Sequence, residues 1–304
     1  MLPDVVERLA CPHCGEALRG DPAAAGAGTL RCAGGRHSFD LARQGYVSLL
    51  RGDARLGTAD TAEMVAAREE FQAAGHYAPI AEALAGAAAL AGGGDRGERG
   101  ERGDRSDFGD CVLDLGGGTG YYLAPVLDAL PDGDACGIVL DASKYALRRA
   151  AKAHPRAGAV LADAWQRLPV RDASVSLVLN VFAPRNGAEI RRVLRPGGSL
   201  LVVTPGPGHL AELVGELGLI GVDDRKPERL AAALTPHLAP AGGQEAEFRM
   251  ALDHRAVETV VRMGPSAWHT DPGELRQRIA GLDDPVTVTA SVRIDRFRRL
   301  SAER

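Results

Sequence analysis

From residue 110 onward, short apolar runs alternate with amphipathic stretches. CVLDLG at 111–116, GIVLDAS at 137–143, AVLADA at 159–164, SVSLVLNVF at 174–182 and GGSLLVVTP at 197–205 each read as a strand. They are four to eight residues of aliphatic side chains bounded by Gly, Pro, Asp or Ser. The stretches between them, SKYALRRAAKAH at 143–154 and AEIRRVLR at 188–195, carry the helical period. Strands that are apolar throughout are covered on both faces, and strands alternating with helices imply right-handed crossovers and a parallel sheet. The fold class is therefore α/β, with a Rossmann-like sheet. A further strand is predicted at 286–294 (VTVTASVRI).

The chain before residue 110 is different. Residues 58–90 read as helix, with Met64, Val65, Phe71, Ile80 and Leu84 set among alanines. Gly75-His76-Tyr77 and Pro79 break it in two. Residues 91–107 (AGGGDRGERGERGDRSD) hold no large apolar side chain and read as a solvated linker without a site. Residues 1–50 are turn-rich and too few to bury a sufficient core unaided. The division expected is a module at 1–50, a helical connector and linker at 51–107, and a main domain at 108–304. An inserted segment around 220–285 is expected to cover the site.

Composition narrows the class. Of 304 residues 45% are hydrophobic and 25% charged, the profile of a soluble globular protein. A formal net charge of −4 offers no overall basic surplus for nucleic acid, so any such surface must be a local basic face. There is no run of 18 apolar residues and no secretory leader pattern, so the expectation is a cytoplasmic protein. Five cysteines with three near the start do not resemble a secreted disulfide framework.

Those three have a metal-site spacing. Cys11-Pro12-His13-Cys14 is a tight CxxC knuckle, and Cys32 and His37 follow after 17 intervening residues. Two thiolates from one turn and two ligands from another suit a tetrahedral structural Zn²⁺, whose binding energy becomes folding energy. His13 competes with His37 as a ligand. The alternative is a buried cluster of free thiols. With four protein ligands the ion has no open position, and catalysis there is not expected.

The first main-domain strand runs into Asp114-Leu115-Gly116-Gly117-Gly118-Thr119-Gly120. Glycines let the backbone turn sharply and approach a ligand closely. The next strand ends in Asp141, placed for ribose hydroxyls, and the third in Asp163, placed for an adenine amino group. Gly116, Gly118 and Gly120 follow GxGxG spacing, nearer to the S-adenosylmethionine loop than to the GxGxxG of dinucleotide enzymes. Leu194-Arg195-Pro196-Gly197-Gly198 resembles the turn before the fifth strand of class I methyltransferases.

Together these and further segments resemble the RlmA family. The resemblance runs through CPHCG, His37-Ser38-Phe39-Asp40, Gln44-Gly45-Tyr46-Val47-Ser48-Leu49-Leu50, Asp60-Thr61-Ala62-Glu63-Met64-Val65 with Ala67-Arg68, and Gly75-His76-Tyr77-Ala78-Pro79. It continues through Asn180-Val181-Phe182-Ala183-Pro184-Arg185-Asn186 and Thr204-Pro205-Gly206-Pro207-Gly208-His209-Leu210. It is nearest to the actinobacterial, TlrB-type branch associated with tylosin resistance. The resemblance implies methylation of guanine N1 in the hairpin 35 loop of 23S rRNA, a homodimer with an RNA cleft, and cofactor contacts at Tyr77, Gly118, Thr119 and His209. In two respects the chain departs from the family: its second zinc knuckle is one residue longer and its linker is longer.

Guanine N1 carries a proton in the neutral base, so the reaction needs its loss and in-line approach to the methyl. Asn180 is a candidate for the base edge and Phe182 for stacking; a structural strand end is the competing reading. Arg31, Arg36 and Arg43 of the N-terminal module are candidates for RNA phosphates. Two other functions stay open at this point. A small-molecule methyltransferase would usually lack the zinc module, and a non-catalytic RNA-binding factor would not need an intact glycine loop.

Overall fold

A computed structural model describes residues 1–20, 28–52, 59–93, 110–130, 135–219, 221, 226–264, 267 and 271–299. The linker read at 91–107 lies outside them beyond residue 93. The N-terminal segment holds a short helix, α1 (Pro3–Val6), and strands β1 (Leu18–Gly20), β2 (Thr29–Cys32) and β3 (Ser38–Asp40), which form a small antiparallel sheet in that order. A further strand, β4 (Tyr46–Ser48), leaves this sheet.

Two helices follow. α2 (Ala62–Ala73) starts at Thr61, whose hydroxyl accepts the Met64 N–H at 3.3 Å, a serviceable N-cap. It stops at Gly75, whose φ of +80° only glycine adopts cheaply, and α3 (Ala78–Gly93) begins three residues on. This is the break expected from the Gly-His-Tyr stretch.

The main domain runs β5 (Cys111–Leu115), α4 (Leu123–Ala129), β6 (Cys136–Asp141), α5 (Lys144–Ala150), β7 (Ala157–Leu161), β8 (Val175–Val181), α6 (Gly187–Val193) and β9 (Leu194–Pro205). It ends with α7 (Ala211–Leu217), α8 (Lys226–Leu234), β10 (Ala239–Leu252), α9 (His254–Arg262), α10 (Pro272–Ile279) and β11 (Val286–Arg298). The sheet order is β10-β11-β9-β8-β5-β6-β7-β4. Strands from β4 through β9 are parallel, whereas β11 and β10 add antiparallel. The order reverses beside β5, which has β6 on one side and β8 on the other. A crevice opens at the carboxyl ends of the strands at such a point, and ligands bind there.

Alternate side chains of β5 feed two cores. Val112 joins Phe71, Ile80, Leu84 and Leu123 on one face, and Leu113 joins Ile138, Val160 and Ile190 on the other. The second core also takes Val5, Leu9, Leu18, Leu30 and Leu49, so the N-terminal segment is packed onto the sheet. Gly158 permits this: a Cβ there would lie 2.7 Å from Val5 Cγ1. Tyr46–Ser48 pairs with Ala159, Val160 and Leu161 of β7, which extends the main sheet with residues read from sequence as part of the module.

Among residues 220–285, the described part is largely regular. β10 was invisible to the periodicity because its alternation is mostly exposed and it begins APAGG. α9 lies against α2, and so reaches the neighbourhood of the glycine loop.

Candidate active site and zinc centre

The loop 116–120 has the backbone that its glycines allow. Gly116, Gly118 and Gly120 have φ of +74°, +56° and +80°. A Cβ on Gly116 would come within 2.5 Å of Ala183 Cβ, and one on Gly117 within 2.5 Å of the Asp114 carboxylate. The cradle is thus closed from below by Asp114 and from the side by the turn after β8.

Asp141, at the tip of β6, accepts the Gly118 N–H at 2.9 Å through Oδ2 and the Ser143 N–H at 2.7 Å through Oδ1. Burial raises its pKa despite those two donors. Thr119 donates its hydroxyl to Gln72 Oε1 at 3.1 Å, which ties the loop to α2. Arg68, also on α2, has Nη1 3.5 Å from where a Gly118 Cβ would sit. It pairs with Asp60 and donates through Nη2 to the Met263 carbonyl at 2.9 Å.

Three rings gather on the β8–β9 side. Tyr77 and His209 have centroids 6.0 Å apart, and Phe182 lies 6.3 Å from Tyr77 and 5.9 Å from His209. His209 Nδ1 accepts the Ser291 N–H at 3.3 Å, so in the neutral ring the proton is on Nε2, which donates to Tyr77 Oη at 3.2 Å. Burial pushes the Tyr77 hydroxyl pKa up, so it stays protonated. Phe182 has a φ of +52° and is 40% exposed. A bulky residue in that region is strained by about 1–3 kcal/mol and needs surroundings that enforce it. Its own N–H is held by the Val203 carbonyl at 3.1 Å.

Asn180 is wholly buried. Its Nδ2 donates to the Leu115 carbonyl at 3.2 Å and the Pro184 carbonyl at 2.8 Å, leaving Oδ1 without a partner among the described residues. It braces the glycine-loop strand against the 182–184 turn, so only Oδ1 remains for any other contact. Asp163 lies two residues past the tip of β7, whose last residue, Leu161, pairs with Asp141 of β6. Its Oδ1 accepts the Trp165 N–H at 2.9 Å, and it lines a cleft with Pro12, Arg51 and Arg167.

The N-terminal cluster is compact. The ligand atoms of Cys11, Cys14, Cys32 and His37 all lie within 4.8 Å of one another. His37 Nδ1 is 3.4 Å from Cys11 Sγ and 3.7 Å from Cys32 Sγ. Tetrahedral Zn–S and Zn–N bonds give S···N edges of about 3.6 Å, close to the two His37 distances, so the donor set suits Zn²⁺. His13 lies outside the cluster, stacked on Phe39 at 6.0 Å.

Comparison with known proteins agrees with both halves. Residues 9–52 match the zinc-ribbon family described as RlmA, N-terminal, and residues 112–198 match a methyltransferase domain. A Streptomyces fradiae 23S rRNA (guanine(748)-N(1))-methyltransferase is 51% identical, over 96% of this chain and 97% of the relative. A Micromonospora griseorubida protein assigned as a 23S rRNA (guanine-N(1)-)-methyltransferase is 55% identical over 98% and 99%. This chain belongs to the RlmA-type 23S rRNA (guanine-N1)-methyltransferases. A Bacillus subtilis protein with the same type of assignment is 27% identical over 94% of both chains. As an RlmA-type methyltransferase the protein uses S-adenosylmethionine and carries a zinc ribbon.

The cradle fits that cofactor on this structure's own terms. At Gly116, Gly117 and Gly120 a Cβ would collide with Ala183, Asp114 and Ala153, so only a bare backbone can form this loop, and directly beneath lies a fully buried carboxylate, Asp114, whose two oxygens have no partner among the described residues. An orphaned buried anion is costly unless something cationic comes near it. Burial, with a smaller contribution from the Asp141 charge, raises the Asp114 pKa to about 7.

This has a measurable consequence for the cofactor-free methyltransferase. Folded, the Asp114 carboxyl keeps its proton up to about pH 7, whereas unfolded it releases it near 3.8. Between those values the unfolded chain has lost a proton that the folded chain keeps. The Asp114 contribution therefore destabilises progressively as pH rises from about 4 to 7, by a few kcal/mol in all, then levels off. Asp114→Asn should flatten that slope in urea titrations at pH 5 and pH 8. An unchanged slope would show that the carboxyl is ionised and matched in the native state.

Sequence reasoning missed Arg68 and Gln72 as neighbours of the loop. Both sit on one helix whose pattern speaks only of its buried face. The presence of Arg68 in the family-like DTAEMV…AR segment was the one available signal.

Proposed function

We propose that this protein transfers the methyl of S-adenosylmethionine to N1 of a guanine in the hairpin 35 loop of 23S rRNA, and so protects the ribosome against tylosin-type macrolides. The observation that carries the reading is the shared wall between Gly116 and the turn bearing Phe182. The cofactor bed packs against Ala183, the residue that follows the partly exposed Phe182. The activity of the 51% identical relative and the assignment of the 55% identical one support the same substrate.

When bound, S-adenosylmethionine would supply an electrophilic methyl on a sulfonium, leaving as S-adenosylhomocysteine, and the guanine N1 proton passes to solvent. The chain's residues have separable roles around it. Asp141 meets the ribose hydroxyls and Asp163 the adenine edge. Gly116, Gly118 and Thr119 hold the amino-acid end, with Arg68 as a neighbouring cation. Tyr77 and His209, locked to each other, wall off water from the methyl. Phe182 stacks on the guanine, and Asn180 holds that turn in register with the loop. Orientation of this kind can lower a barrier by about 7–11 kcal/mol. Cys11, Cys14, Cys32 and His37 hold Zn²⁺, and Arg31, Arg36 and Arg43 of the ribbon meet phosphates. We further infer a cytoplasmic homodimer with the RNA between subunits.

An N1 methyl blocks Watson–Crick pairing, so treated 23S rRNA should arrest reverse transcription one nucleotide before a single guanine. The first place to look is the position equivalent to the 748 in the name of the Streptomyces fradiae relative. Arrest elsewhere, or none with a cofactor-binding enzyme, overturns the reading. Methylation of small acceptors in the absence of arrest would favour a biosynthetic role.

A further inference from the structure

Trp165 is 63% exposed, and with Phe182 it is one of the two exposed Phe, Tyr or Trp side chains among the described residues. A tryptophan so placed loses the stabilisation that burial of its large ring would give. The backbone that carries it is held tightly. Its N–H donates to Asp163 Oδ1 at 2.9 Å, and its carbonyl accepts Asn186 Nδ2 at 3.4 Å. Just beyond, the Leu168 N–H is held by Glu189 Oε2 at 2.8 Å and the Leu168 carbonyl by Arg192 Nη2 at 2.9 Å. The turn is built, and it presents an indole to solvent.

The segment that carries the indole lies between two features of the rim. Trp165 follows β7 and Phe182 follows β8, so both stand on the carboxyl rim where the crevice opens. Asn186, which grips the Trp165 carbonyl, belongs to the same segment as Phe182 and caps α6. On the other side, Gln166 and Arg167 line a cleft with Asp163, with Pro12 of the zinc ribbon and with Arg51 beyond β4, and Arg167 also lies 3.8 Å from Asp172. Aromatic rings that flank cations along a groove are the means by which proteins hold unpaired nucleotides: bases stack on the rings, and the cations follow the phosphates.

We infer that Trp165 is the stacking platform for an unpaired RNA base next to the target guanine, with Arg51 and Arg167 at the adjoining phosphates. This rests on the rRNA reading above and adds where the loop is gripped. Phe182 takes the extruded base, while Trp165 holds a neighbour and keeps the loop open on the ribbon side. Stacking of this kind tolerates any base, so it would set RNA affinity rather than choice of sequence.

The test uses the full-length zinc-loaded protein and a synthetic RNA hairpin with the hairpin 35 loop. RNA affinity is measured by fluorescence anisotropy with S-adenosylhomocysteine present. Trp165→Ala should weaken binding by about tenfold, from the usual worth of one stacked base. Trp165→Phe should stay within about threefold of wild type, and both should bind S-adenosylhomocysteine normally. In a Trp268→Phe background the remaining indole should be quenched on RNA addition. Removing the base beside the target guanine should abolish that quenching. Wild-type RNA affinity in Trp165→Ala, or quenching that survives the abasic substitution, overturns the inference alone. Lost cofactor affinity in Trp165→Ala overturns it too, because the ring would then be propping Asp163. If the wild-type protein fails to bind the hairpin, the rRNA reading itself falls.

Discussion

Gly116→Ala should lower affinity for S-adenosylmethionine by about two orders of magnitude while leaving most of the fold standing. Two costs combine. An L residue held at φ +74° loses about 1–2 kcal/mol, and the added Cβ meets Ala183 Cβ at 2.5 Å. Overpacking of that kind costs about 1–3 kcal/mol and is relieved only by moving the 182–184 turn. The free loop can relax away from Ala183, and cofactor binding must then restore the cradle against this cost; at about 1.4 kcal/mol per factor of ten, the sum reaches roughly a hundredfold. Because the obstacle is the turn bearing Phe182, methyl transfer should fall further than binding. Calorimetric titration with S-adenosylhomocysteine checks the first part and single-turnover kinetics the second. Gly86→Ala is the control. It lies within α3 with nothing within 4 Å of the added carbon, and should be neutral or slightly stabilising. Cofactor affinity within a factor of three of wild type in Gly116→Ala would mean that the cradle is not where the cofactor lies.

The second large effect concerns the metal. Cys32→Ser, or prolonged exposure to a strong chelator, should remove zinc and lower the melting temperature by roughly 10 °C or more. Structural zinc in small modules is worth about 10–16 kcal/mol of folding energy, more than a ribbon of this size can replace. The damage should reach the main domain. Val5, Leu9, Leu18 and Leu49 share one buried core with Ile138 and Val160, and β4 is an edge strand of the main sheet. Loss of even 5 kcal/mol shifts melting by roughly 10–20 °C in a domain of this size. His13→Ala should keep one zinc per chain, because the ring stacks on Phe39 outside the ligand cluster. Metal analysis with calorimetry distinguishes the cases. Full zinc content in Cys32→Ser, or its loss in His13→Ala, would show that the ligand set differs from the four gathered here.

Which parts were legible beforehand follows from what periodicity can report. β5 to β9 are largely buried on both faces, so each is a mostly apolar run and stands out in one dimension. The glycine loop stood out because only glycine serves at Gly116 and Gly120, where both conformation and space exclude a side chain. β10 left no such mark. As an outer strand it meets the core chiefly through Met250 and Leu252 at its end, and the rest of its pattern is exposed. Tyr46–Ser48 read as the tail of the N-terminal module because pairing with β7 is a backbone event that three residues do not advertise.

The site divides the same way. The sequence by itself determined the strand tips and what stands on them: the glycine cradle, Asp141 and Asp163, and the two knuckles of the zinc ribbon. These depend on spacing along one segment, and spacing is preserved on folding. Only the tertiary structure decided how distant segments meet: Tyr77 with His209 and Ser291, Arg68 with Gly118 and Met263, Gly116 with Ala183, and Trp165 tied to Asn186 on the open rim. Such contacts are set by the stacking of helices on a twisted sheet and by the order of its strands, which no local period encodes.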